Sequence, residues 1–416
     1  MNIMERLKRL GPGLVTGAAD DDPSGIATYS QAGAQFGPSL MWTMTLAYPL
    51  MVAVQLACAR VGRVTGHGLG RSLNAVFPRW LVIGLIALLF IANTINVGAD
   101  LAAMGEASAL VIGGWKRTAT VAFALLSLLL QIYVPYHRYS SILKWMTLVL
   151  LAYVALILMV KVDWSAAARG LVIPTIAGAG AITTIVAIFG TTISPYLFFW
   201  QAAQEVEELD QIKERQPLSR ARAQASDALR RIRWDTFTGM AVSTIVALAI
   251  ILGTATTLHA AGKTDIQSAA DAAQALKPIA GKFAFALFSL GIIGTGLLAV
   301  PVLAGSSAYA VCEIGGWNGS LEAKPLRAKA FYAVIILGMI LGLALDWTPI
   351  NPMKALFWSA VINGVAAVPV LIGLMIIVSK SSIMGEFVAP PLLKFLGWLA
   401  TAVMGAAAVA MIAFPG

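Results

Sequence analysis

Three consecutive carboxylates, Asp20-Asp21-Asp22, run directly into Pro23-Ser24-Gly25 within an otherwise apolar stretch from about Gly11 to Gly37. A carboxylate at the centre of a membrane helix costs about 2.5–3.5 kcal/mol, so three in a row demand a compensating partner. Pro23 removes a backbone donor, and Ser24-Gly25 give the chain freedom to leave the helix. A helix broken at acidic residues at membrane depth brings carboxylates and free carbonyls to one point, which is chemistry suited to a cation. The competing reading is that the acids end a first helix in water.

A second apolar stretch is interrupted in the same manner, at Phe189-Gly190-Thr191-Thr192-Ile193-Ser194-Pro195-Tyr196. Neither 17–31 nor 188–200 contains a histidine, cysteine or methionine, and the only histidines, His67, His137 and His259, fall near loops. Carboxylates, hydroxyls, amides and carbonyls make a hard, all-oxygen site, better matched to Mg2+, Ca2+ or Mn2+ than to softer ions. Other polar side chains recur at depth. Asn93, Asn96 and Asp100 share one helix face by their i, i+3, i+7 spacing, and Ser359 and Asn363 are one turn apart. Asn93 and Asn96 read as hydrogen-bonding glue between helices, whereas ionisable Asp100 points to a function or a water-filled cavity.

These residues need a scaffold, and composition says which kind. The chain has 416 residues, 59% hydrophobic and 12% charged, with a mean hydropathy of +0.81. That excludes a soluble domain and predicts an all-α, polytopic membrane protein. Spans are expected near 11–37 (broken), 40–62, 79–105, 118–136, 140–161, 176–204 (broken), 234–257, 283–311, 329–346, 354–379 and 391–414. Glu5, Arg6, Lys8 and Arg9 precede an acid-bearing first run, so no cleavable signal is expected. Cys58 and Cys312 are expected as free thiols.

The net charge of +9 reports topology rather than nucleic-acid binding. With a cytoplasmic N-terminus, every basic residue falls on the cytoplasmic side except Lys116, Arg117, Lys161, Arg169, Lys263, Lys277, Lys282 and Lys354. Eleven spans then leave the C-terminus outside. Residues 206–232 are expected as a cytoplasmic helix and 265–279 as a short external one, both ordinary solvated connectors. The breaks begin the first and sixth spans, which predicts one transporter domain over 1–416 made of two inverted repeats (about 11–161 and 176–379) and a peripheral helix (about 391–414).

Gly11-Pro12-Gly13 followed by Asp22-Pro23-Ser24-Gly25 resembles the first helix of the Nramp divalent-metal transporters, whose motif there is Asp-Pro-Gly-Asn. Val64-Thr65-Gly66, Asp100-Leu101-Ala102 and Met384-Gly385-Glu386-Phe387 fit as well. The resemblance covers essentially the whole chain and implies the inverted-repeat fold of the amino-acid and sodium symporters. It also exposes departures. The family's first-helix Asn falls on Gly25, its sixth-helix Met-Pro-His on Ser194-Pro195-Tyr196, and a second histidine on Gln201. A backbone-carbonyl ligand falls on Thr191, a tenth-helix Gln on Ala360, and the Asp and Glu of the proton path on Asp100 and Ala103. With the run Ile193 to Gln201 and Glu205-Val206-Glu207-Glu208, this pattern looks like the Nramp-related magnesium transporters, a branch that moves Mg2+ and Mn2+ without obligatory proton coupling.

The resemblance implies a Mg2+ (and Mn2+) uptake transporter of the cell inner membrane, multi-pass, working by alternating access. The cation is its substrate. No enzyme activity, cofactor, nucleic acid or obligate protein partner is expected, only the ion and the lipid bilayer. Asp22 is the expected ligand and Gly25 a widened position. Thr191, Ser194 and nearby carbonyls would bind ion-held waters, and Asp20 and Asp21 would supply field. Asp100, Tyr196, Gln201 and Asn363 line the pathway or stand behind the ligands. A wide acidic site suits Mg2+, which keeps part of its water, and two charges crossing 100 mV gain about 4.6 kcal/mol. The alternatives are a proton-coupled Mn2+/Fe2+ symporter and a sodium-coupled organic-solute symporter on the same fold. An intramembrane hydrolase using Asp22 and Asp100 is a further one, for which no Gly-x-Gly-Asp or Gly-x-Ser-x-Gly element exists.

Overall fold

The computed structural model describes residues 16–17, 19–135, 138, 147–176, 178–212 and 214–414. Gly11-Pro12-Gly13, the basic N-terminus, His137, Lys144, Lys213 and the start of the fifth expected span lie outside the described residues.

Among the described residues the protein is helical throughout, with no strand. After helical residues at 16–17 and 19–20, the main helices are α1 (Pro23–Phe36), α2 (Trp42–Thr65), α3 (Arg79–Ile112), α4 (Lys116–Tyr133), α5 (Leu151–Met159) and α6 (Trp164–Val172). They continue with α7 (Ala179–Thr192), α8 (Pro195–Gln211), α9 (Ala225–Thr254), α10 (Ala284–Gly315), α11 (Lys329–Leu345), α12 (Pro352–Ser379) and α13 (Pro391–Ala413). Seven stretches among the described residues are long and apolar enough to cross a membrane by length and composition, fewer than the eleven expected. Of the expected spans not among the seven, the first is described only from residue 16 and is broken, the fifth begins outside the described residues, and α11 has 17 residues.

The outer surface is built for lipid. Ile83, Leu88 and Ile91 on α3, Leu125 and Leu129 on α4, and Leu337 and Ile340 on α11 are all exposed. In water so much exposed apolar surface would drive association, whereas in hydrocarbon it costs nothing. Inside, small residues let helices touch backbone to backbone. A Cβ on Gly190 of α7 would lie 1.9 Å from the Ala360 carbonyl of α12, and one on Gly17 would lie 2.4 Å from the Gly239 carbonyl of α9.

Both chain breaks precede a proline at the first helical position, where its missing N–H is harmless and its φ is preset. α1 opens on Asp22-Pro23 and α8 on Ser194-Pro195. The second break sits later than the sequence suggests, because α7 runs through Gly190 and stops at Thr192. Gly25 does not leave the helix either; it lies in the first turn of α1 and is absent from the positive-φ glycines.

The expected connectors are corrected in part: most of 206–232 is exposed or half-buried, as expected, but it is not one helix. Residues 206–211 finish α8 and helix resumes only at 222–224, with turns and irregular chain between. Glu205 and Glu207 are buried and Leu218 is fully so, because charges there find partners. Arg231 of α9 bridges Glu205 and Glu208, each at 2.7 Å, and Glu207 accepts from Leu321 N and from the Tyr309 hydroxyl. On the opposite side, 265–279 does form short helices, but Ala269, Ala272, Ala273 and Leu276 are buried rather than solvated. Gln31, Glu106 and Asn351 hold this segment through Ile266 N, Ala269 N and the Gln267 carbonyl. Cys58 and Cys312 are free and buried.

Candidate metal site

Asp22 caps α1. Its backbone is extended (φ −67°, ψ 171°), and its Oδ1 accepts from Gly25 N at 2.7 Å. A side-chain oxygen satisfying an orphan N–H is what an N-cap requires, and an anion at this end is favoured by the helix dipole. Its Oδ2 accepts from Asn96 Nδ2 of α3 at 3.0 Å. Asp20 and Asp21 both meet α9. There the single Ser243 hydroxyl lies 2.5 Å from Asp20 Oδ2 and 3.2 Å from Asp21 Oδ1. All three acids are buried, none more than 3% exposed. They do not end a helix in water.

The second break faces the first. A Cβ on Gly25 would lie 3.1 Å from the Asp20 carbonyl and 3.2 Å from Thr191 Oγ1, so the two breaks come close at Gly25 and a side chain there would crowd both. Asp20 Oδ1, Thr191 Oγ1 and Ser194 Oγ are buried and have no hydrogen-bond partner among the described residues. Ser194 is the N-cap of α8 but makes no capping bond. Unpaired buried oxygens from two chain breaks are what a cation or its water shell would engage. Two tyrosines tie the breaks together: Tyr196 donates to the Ala19 carbonyl at 3.2 Å, and the Tyr29 hydroxyl meets Thr192 Oγ1 at 3.2 Å.

The remaining expected residues separate. Gln201 lies on the Gln211 side of the α8 break, where its Oε1 accepts from the Thr16 hydroxyl at 2.6 Å, joining the piece before the first break to α8. Asp100 is fully buried on α3, one turn beyond Asn96, and neither carboxylate oxygen has a hydrogen-bond partner among the described residues. It forms no proton-bridged pair with Asp22, so the protease-dyad alternative has no geometry behind it. Asn363 is buried with Oδ1 unpartnered, and no hydrogen bond among the described residues joins it to the acids.

Sequence spacing alone does not distinguish Asn93 from Asn96, and the structure parts them. Asn93 donates to the Leu303 carbonyl and to Ser306 and Ser307, all on α10, which is the helix-to-helix role expected. Asn96 instead donates to Asp22 and accepts from the Ser359 hydroxyl of α12. The shared face with Asp100 is the signal that sequence offers. The partner is not in it.

The chain is similar to known proteins along nearly its whole length. A family profile described as natural resistance-associated macrophage protein-like (Nramp) matches residues 13–414. Two relatives named divalent metal cation transporter MntH, from Klebsiella pneumoniae strain 342 and from subspecies pneumoniae strain ATCC 700721, are each 24% identical over 410 residues. Those matches cover 96% of this chain and 92% of the relative. A crystal structure of the Eremococcus coleocola manganese transporter with an aromatic bis-isothiourea substituted compound superposes with a TM-score of 0.74 at 17% identity. It covers 97% of this chain and 85% of the other. A nucleobase-cation-symport-1 family transporter in a closed conformation follows at a TM-score of 0.58 and 15% identity, covering 98% and 94%, which shows that the fold alone does not choose the substrate. The chain belongs to the Nramp family and is an integral membrane protein, a divalent metal cation transporter and not an enzyme.

Proposed function

We propose that this transporter carries Mg2+, and Mn2+ with it, into the cell across the inner membrane by alternating access and without obligatory proton coupling. The observation that carries the reading is the donor set. The two breaks offer oxygen donors, from the Asp22 carboxylate, Thr191 Oγ1 and Ser194 Oγ, and Gly25 adds no side chain to crowd Thr191 Oγ1. Mg2+ gives up water reluctantly, so hydroxyls and carbonyls that accept from or donate to bound water serve it well. Asp22 is the direct or water-mediated ligand, while Asp20 and Asp21, shared onto Ser243, add negative field. No histidine stands at either break, and Ala103 occupies the position one turn beyond Asp100, which leaves few groups to pass a proton. Liposomes loaded with a pH indicator decide the coupling: Mg2+ entry without internal acidification is expected, and acidification in step with entry contradicts it.

One observation favours the second reading, a proton-coupled Mn2+/Fe2+ symporter. A Cβ on Gly296 would lie 2.4 Å from Met104 Sδ and 3.4 Å from Pro23 Cγ, so a thioether and the first-break proline flank one glycine. Sulfur favours transition metals over Mg2+. If this thioether reaches the ion, Met104→Leu lowers Mn2+ uptake and spares Mg2+; equal uptake of both ions by the variant removes that reading.

A further inference from the structure

We infer that Asn96, itself oriented by Ser359, is a positioning residue that sets the direction of the Asp22 carboxylate toward the cation. The inference rests on the proposed role of Asp22 as ligand. Two N–H donors from different elements grip this carboxylate, Gly25 N from α1 at 2.7 Å and Asn96 Nδ2 from α3 at 3.0 Å. One donor leaves a carboxylate free to swing about its hydrogen bond. Two donors, one on each oxygen, fix its plane while each oxygen keeps a further lone pair for a cation or its water.

A carboxamide can sit in two orientations, and only one of them helps. Turned over, Asn96 would set its own oxygen against the Asp22 carboxylate. Ser359 selects between them, because its hydroxyl donates to Asn96 Oδ1 and so sends Nδ2 toward Asp22. The same hydroxyl lies 2.7 Å from the Leu356 carbonyl of its own helix, the usual resting partner of a helical serine. A hydroxyl has one proton, so donating it to Asn96 takes it from the Leu356 carbonyl, and the link to α3 replaces a bond internal to α12. All three groups are buried to 1% exposure or less and come from α1, α3 and α12. Asp100, another polar group on this face of α3, makes no side-chain hydrogen bond among the described residues, so the hydrogen-bonded link from α3 to the acids runs through Asn96.

A ligand whose plane is preset binds its ion without first being ordered, so losing the donor weakens binding rather than slowing the loaded carrier. The test is the concentration dependence of Mn2+ uptake into proteoliposomes, with reconstituted protein quantified and thermal unfolding recorded. Asn96→Ala is expected to raise KM about tenfold or more with the maximal rate within about twofold of the parent. Ser359→Ala is expected to raise KM about threefold, and Ser359→Thr, which restores the hydroxyl, to return it to the parent value. Asp22→Ala separates this inference from the reading beneath it. If Asp22→Ala abolishes saturable uptake but Asn96→Ala leaves KM unchanged, Asn96 positions nothing. If Asp22→Ala is also unchanged, the ligand assignment itself is wrong. A lowered maximal rate or unfolding temperature at constant KM marks Asn96 as structural and overturns the inference. Should Asn96→Ala not reconstitute, the Ser359 pair decides, and an unchanged KM in Ser359→Ala overturns it.

Discussion

The Tyr196 hydroxyl donates to the Ala19 carbonyl at 3.2 Å, and the reason lies four residues on. In an unbroken helix the N–H of residue 23 would serve that carbonyl, but residue 23 is proline and has none. The first turn of α8 thus supplies the donor that the first break removes. A reciprocal contact joins the other halves: Thr192 already donates its proton to the Ile188 carbonyl, so Tyr29 of α1 is the donor in its contact with Thr192 of α7. Each first half-helix ends against a tyrosine from the second half of the other broken segment.

Removing one of these hydroxyls should loosen the site without emptying it. Tyr196→Phe is expected to lower Mg2+ uptake several-fold and to destabilise the protein by about 1–3 kcal/mol, the cost of an unpaired buried carbonyl. Uptake assays and thermal unfolding in detergent check both. A parent-like variant would mean that water replaces the hydroxyl freely.

Gly25 should be a size gate for the ion and its water. Gly25→Asn restores the side chain that the Nramp motif carries and fills the space beside Thr191 Oγ1. The expected outcome is a several-fold loss of Mg2+ uptake with a smaller loss of Mn2+ uptake, measured in parallel on one preparation. Equal losses for the two ions would show that the space does not select.

Close backbone packing makes a matched pair of glycine variants informative. Gly190→Ala would drive a methyl into Ala360 and Gly364 of α12 and should cost about 1–3 kcal/mol. Gly84→Ala on α3 meets nothing within 4 Å and should be neutral or slightly stabilising. The two unfolding temperatures, compared with the parent, test whether the contact or the residue type matters.

On the side carrying most of the basic residues, Arg231 compensates buried Glu205, whose side chain has no exposed surface. Arg231→Ala should destabilise by about 3–5 kcal/mol, because it strands a buried charge rather than because the pair is strong. The double variant Arg231→Ala with Glu205→Gln is expected to recover much of the loss. Denaturation of the two variants side by side checks the sign.

The breaks are legible in the sequence because proline and a triplet of acids are local signals, and local signals survive in a linear string. The outer helices are legible for the same reason, through uninterrupted apolar length. Partnership at long range is not. Asn96 and Asp22 are 74 positions apart and Ser359 and Asn96 are 263 apart, so their bonds depend on how three helices rotate against one another. The connectors mislead for a physical reason too: Glu205 and Glu208 carry the composition of a solvated turn, and only the approach of Arg231 from α9 makes their burial tolerable. Gly25 looks like a hinge in the sequence, yet its contribution is the side chain it lacks.

Mg2+ uptake into proteoliposomes by the parent and by Asp22→Ala, reconstituted in equal amounts and driven by an inside-negative potential, is the most direct test of Asp22 as the ligand of a Mg2+ carrier. Saturable, potential-driven Mg2+ entry is expected in the parent, and none above empty liposomes in Asp22→Ala. Equal Mg2+ entry in the two, or Mn2+ entry with no Mg2+ entry in the parent, would contradict it.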